Sequence, residues 1–104
     1  MLLKDFEWQT KQGHLTNRTE NAGRQIILDF GLYHLSVIDD GYGREDGLYE
    51  IAVFLVKDGN ATKQLEMPGI TWPGDTVRGN LTEAEVDDII NKLYWLSAHK
   101  PTQL

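Results

Sequence analysis

The chain has 104 residues and a net charge of −6, from 16 acidic against 10 basic side chains. Its composition, 40 per cent apolar and 25 per cent charged, is that of a folded domain rather than a disordered tail, and its length suffices for one core and not two, so residues 1–104 are expected to form a single domain. The absence of cysteine excludes disulfides and thiolate metal sites, and no apolar run suits a signal peptide or a bilayer span, so a cytoplasmic location is expected and membrane association is not.

In chain order, Phe6 and Trp8 alternate with Asp5, Glu7 and Gln9, which predicts a short strand over 3–10. Residues 11–24 are polar and punctuated by glycine, and read as a loop. The apolar pattern resumes over 25–30, and Gly31 offers a turn into a strand over 32–38. There Tyr33, Leu35 and Val37 alternate with His34 and Ser36, which places His34 on the solvent face. Residues 39–47, Asp-Asp-Gly-Tyr-Gly-Arg-Glu-Asp-Gly, break the pattern. Residues 48–56 are apolar at odd and even positions alike, as in a central strand covered on both faces. Asp58-Gly59-Asn60 is a hairpin turn that should return the chain through 62–67, because Gly and Asn accept positive φ at little cost. Residues 68–80, with Pro73-Gly74-Asp75, read as a long loop.

The spacing predicts a helix over 82–98. Thr82 and Glu85 form a capping box, Leu81 and Val86 a hydrophobic staple, and Glu83, Glu85, Asp87 and Asp88 favour the positive end of the helix dipole. Lys92, His99 and Lys100 lie toward the other end, and Pro101 stops the run. Val86, Ile89, Ile90, Leu93 and Leu96 share one stripe that should close the core. The fold expected is therefore α+β, an antiparallel sheet of four or five strands with a C-terminal helix packed on one face. Trp95 projects almost opposite that stripe, with Tyr94 at its margin. It is covered either by residues 11–24 or 68–80, or by a partner, since Trp and Tyr are enriched where proteins bind one another.

Few residues invite chemistry. The acidic loop 39–47 lacks the alternate ligand spacing and distant Glu of an EF-hand, so it reads as an exposed, mobile connection that binds no metal. Tyr42, flanked by glycines and by Asp40 and Asp46, is the recognition element such a tip would offer. Gly41-Tyr42-Gly43 is not followed by the rest of a dinucleotide fingerprint. His14, His34 and His99 lack metal-ligand spacing, and neither Ser36 nor Ser97 sits in a nucleophile elbow. Asn17, Asn60 and Asn80 begin glycosylation-type triplets, which without a secretory signal read as coincidence. No catalytic residue, cofactor site or metal site is assigned.

The charge is uneven: residues 1–44 carry six acids against five bases, and residues 45–104 ten against five. Such a surface repels phosphate backbones, so no nucleic-acid partner is expected. Carboxylate excess mostly serves solubility, and mimicry of nucleic acid toward a basic partner is the alternative.

Leu35-Ser36-Val37, Gly41-Tyr42-Gly43, Gly47-Leu48-Tyr49-Glu50-Ile51-Ala52-Val53 and Leu81-Thr82-Glu83-Ala84-Glu85-Val86, in that order, resemble small uncharacterised accessory proteins of tailed bacteriophages and prophages. The resemblance spans residues 33–97. It implies a phage-encoded protein at work in the cytoplasm of a bacterial host, and that family offers no activity or catalytic residues to carry over. Residues 1–30 depart from it. Together these readings point to a non-enzymatic interaction protein that modulates or inhibits a host protein, with Trp95, Tyr94, Tyr42, Asp40 and Asp46 as partner-binding residues. The alternatives are a structural or homo-oligomeric phage protein, and a ligand-binding protein or enzyme with a site between subunits.

Overall fold

A computed structural model describes residues 1–11 and 23–104. Most of the predicted loop 11–24, with His14 and the triplet at Asn17, lies outside the described residues. The first element is a 3₁₀ turn, Leu3–Asp5, where a strand over 3–10 was expected; only β1 (Gln9–Thr10) is extended and paired. Burial of Leu3 is the reason. Its side chain enters the core, and its backbone N–H donates to Asp87 Oδ1 at 2.7 Å instead of to a neighbouring strand.

β2 (Arg24–Asp29) and β3 (Tyr33–Ile38) form an antiparallel hairpin, with Gly31 at φ 80° in the turn, Ile26 opposite Val37 and Leu28 opposite Leu35. β4 (Tyr49–Lys57) pairs with β3 on one edge. Along its other edge β5 (Asn60–Gln64) and β6 (Val77–Leu81) follow one another, and β4 is the central strand its apolar run predicted. Its cover is less complete than expected: Ile51 and Val53 are buried, Ala52, Phe54 and Val56 half-buried, and Leu55 exposed. β1 and β7 (Thr102–Gln103) share the outer edge of β2. The fold is thus α+β: the described residues form a seven-stranded antiparallel sheet with α1 (Glu83–Ser97) packed on one face.

β6 occupies the end of the stretch read as a loop over 68–80. Val77 stands opposite Ala52 and Leu81 opposite Tyr49, so pairing with β4 overrides the poor strand preference of Arg78-Gly79-Asn80. The remaining loop sends Ile70 into the core and closes on β6 through a bond from Trp72 N–H to the Val77 carbonyl at 3.0 Å.

The core lies between the sheet and α1, where Ile26, Leu28, Leu35, Val37, Ile51 and Val53 meet Val86, Ile89, Ile90 and Leu93. Leu96, the fifth residue of the predicted stripe, is instead 60% exposed. Three residues beyond Leu93 at about 100° each, it is turned some 60° from that side chain, far enough at this end of the helix to leave the core.

The helix start follows the predicted box. Glu85 N–H donates to Thr82 Oγ1 at 3.2 Å and Thr82 N–H to Glu85 Oε1 at 3.0 Å, and at the far end Ala98, at φ 52°, donates its N–H to the Tyr94 carbonyl. The bond from the Thr82 backbone, then that from its hydroxyl, hold the Glu85 carboxyl below its ordinary pKa, with the Arg78 guanidinium at 3.6 Å adding to the effect. Thr82→Ala is expected to destabilise the protein by about 1 kcal/mol. A carboxyl whose pKa is lower folded than unfolded contributes stability at neutral pH that is lost as pH falls through the folded value. Glu85→Gln should therefore flatten the acid limb of a plot of thermal midpoint against pH; an unchanged limb would count against the assignment.

Candidate interaction surface

The outer side of α1 is where chain geometry and side-chain chemistry disagree. Nine residues beyond Val86, at about 100° each, Trp95 points away from the sheet, and it is 86% exposed. The loop over 68–80 does not cover it, and residues 12–22, part of the other proposed cover, lie outside the described residues. Tyr94 and Leu96 flank it on either side of the helix and are both exposed, so the last turns carry three large apolar groups in water. Toward the helix start the same outward stripe continues through Asn91, Asp88 and Ala84, all exposed. Lys92, four residues after Asp88, donates to the Gly69 carbonyl at 3.2 Å, and the Asp88 side chain has no hydrogen-bond or ion-pair partner among the described residues.

The acidic loop is more engaged than a free tip. Asp39 pairs with Arg24 at 2.8 Å and Asp40 with Lys11 at 2.9 Å. Tyr42 N–H donates to Glu50 Oε1 at 2.9 Å, and the Tyr42 carbonyl accepts from Asn80 N–H at 2.9 Å. Residues Arg44–Asp46 form a 3₁₀ turn between two left-handed glycines, Gly43 and Gly47. The Tyr42 ring remains 59% exposed and lies 5.7 Å from that of Trp72 at a tilt of 53°. Tyr42 and Asp46 together line a polar depression of about 230 Å³ with Gly43, Arg44, Glu45 and Asn80. The five residues singled out from sequence therefore fall into three places: Tyr42 with Asp46, Asp40 in an ion pair, and Tyr94 with Trp95. The helix separates the first from the last, since the twelve steps from Glu83 to Trp95 span roughly 18 Å along its axis.

One polar group escaped the sequence reading. His34, expected on the solvent face, is 7% exposed, and Ser36 beside it is also buried. The physical reason is cross-strand packing: His34 stands between Asp29 on β2 and Phe54 on β4. His34 Nε2 lies 3.5 Å from Asp29 Oδ1, which also accepts Gly31 N–H at 2.8 Å, while Ser36 Oγ accepts from Gln25 Nε2 at 2.8 Å. Asp, His and Ser thus lie in a row, with the Ser36 hydroxyl bonded to Gln25 and not to His34. Strand alternation carried no signal for it, because burial here depends on neighbours distant in sequence. Among the described residues no group of three or more His, Asp or Glu side chains is placed to hold a metal ion, and no helix is long and apolar enough to cross a membrane.

The chain matches no family model, no curated protein and no solved structure.

Proposed function

We propose that this chain is a non-enzymatic interaction protein that docks on another protein through the outer, C-terminal side of α1. The observation that carries the reading is Trp95, 86% exposed on a well-capped helix. An indole typically covers roughly 150–250 Å² when buried, and such rings dominate the energetics of protein interfaces. Leu96 and Tyr94 widen the apolar ground around it, and the acidic surface suits a protein partner better than a phosphate backbone. The bacteriophage resemblance would make that partner a host protein; self-association satisfies the same surface.

The test compares the wild-type protein with Trp95→Ala, measuring mass in solution and capture of proteins from bacterial lysate. Association of either kind is expected to weaken with Trp95→Ala while the thermal midpoint stays near that of the wild type. If mass and capture are both unaffected, or the variant unfolds, the reading is wrong.

A further inference from the structure

We infer that the protein covering Trp95 is a second copy of this chain, set antiparallel along α1, with Trp95 of each copy on Ala84 of the other and Asp88 of each beside Lys92 of the other. This inference rests on the reading of α1 as the docking surface and commits it to one occupant.

Spacing is the first argument. The exposed residues Ala84, Asp88, Asn91 and Trp95 are separated by four, three and four positions, the rhythm by which two helices keep one seam in contact. Reversing one helix about the point between Ile89 and Ile90 brings residue 84 level with residue 95, and 88 level with 91. The largest side chain of the stripe then meets the smallest. That match matters because helix axes pack only about 8–10 Å apart, leaving room for an indole where the facing residue is a methyl group.

Charge supplies the second argument. The first half of α1 carries Glu83, Glu85, Asp87 and Asp88, and Lys92 is the one basic residue of the helix. A parallel pairing would set one acidic half on the other. The antiparallel one sets each acidic half against Asn91, Lys92 and uncharged turns, and places Asp88, which has no partner among the described residues, next to Lys92 of the other copy. Both residues lie on the same flank of the stripe, as a two-fold axis requires. A 15-residue helix is about 22 Å long and roughly 10 Å across, so its seam covers less than the roughly 800 Å² per partner of a standard interface, and association is expected to be weak, with a dissociation constant on the order of micromolar or above.

Sedimentation equilibrium of the full chain over a range of about 1 μM to 1 mM tests this, with thermal melts as a folding control. The mass is expected to rise toward that of two chains. Trp95→Ala should raise the dissociation constant about thirtyfold or more. Ala84→Arg should abolish the dimer as well, although Ala84 is exposed and lies three turns from Trp95 in its own chain. Asp88→Lys should weaken association, and adding Lys92→Glu should restore it. A monomer across the whole range overturns the inference, as does a dimer indifferent to Ala84→Arg. A monomer that still captures another protein through Trp95 overturns the second copy alone; a monomer with no Trp95-dependent capture removes the docking surface too.

Discussion

Leu93→Ala is expected to lower the free energy of unfolding by roughly 2–5 kcal/mol, a large part of the 5–15 kcal/mol typical of a small domain. Leu93 is fully buried on the side of α1 that faces β3 and β4, so truncation removes its transfer free energy and leaves a cavity among Ile89, Ile90 and the sheet. Leu96→Ala is the comparison that gives the experiment its meaning. The two leucines are three residues apart and alike to a helical periodicity argument, yet Leu96 is exposed and its truncation should change stability by no more than about 0.5 kcal/mol. Equilibrium denaturation of both variants decides the matter. Equal losses would mean that the last turn of α1 packs more closely than described, and a loss below about 1 kcal/mol for Leu93→Ala would contradict the core itself.

Gly79→Ala should destabilise the protein by roughly 1–3 kcal/mol. A Cβ at this position in β6 would lie 2.3 Å from Tyr42 Cβ and 3.0 Å from the Tyr42 carbonyl oxygen. Neither atom is the free end of a flexible side chain, so the loop over 39–47 or strand β6 must move. Movement of the loop would break the Asn80 N–H bond to the Tyr42 carbonyl and part the Tyr42 and Trp72 rings, a change that near-ultraviolet circular dichroism would report. In a Tyr42→Gly background the closest clash is gone, and the cost of Gly79→Ala should fall. An equal cost in both backgrounds would refute the steric account.

The same contact explains why part of the fold was hard to read. Arg78-Gly79-Asn80 has no strand alternation, and Gly and Asn are depleted in strands, so nothing local marks β6. The glycine is there because Tyr42, thirty-seven positions earlier, lies on it. Leu3 is a similar case: the alternation of Phe6 and Trp8 with polar neighbours suggested a strand over 3–10, while the position of Leu3 against α1 imposed a 3₁₀ turn. The candidate surface divides likewise. Trp95 could be placed outward from helical angle alone, whereas the pairing of Asp40 with Lys11 and of Asp39 with Arg24, which takes both carboxylates out of a free loop tip, requires the end of β3 to meet the end of β1 and the start of β2.

Features governed by neighbours in sequence were legible in the chain itself. The capping box at Thr82 and Glu85, the stripe from Val86 to Leu93, the turns at Gly31 and Asp58-Gly59, and the central place of β4 all follow from local hydrogen bonding or from periodicity in one element. They suffice for an α+β fold with a helix on one side of an antiparallel sheet. Burial of His34 and Ser36, the strand β6, the release of Leu96 into solvent and the exposure of Trp95 among the described residues were settled only when the elements packed. Each depends on which distant atoms occupy the space beside a side chain. Periodicity fixes the direction in which a residue points, but what it meets there is a property of the assembled sheet and helix.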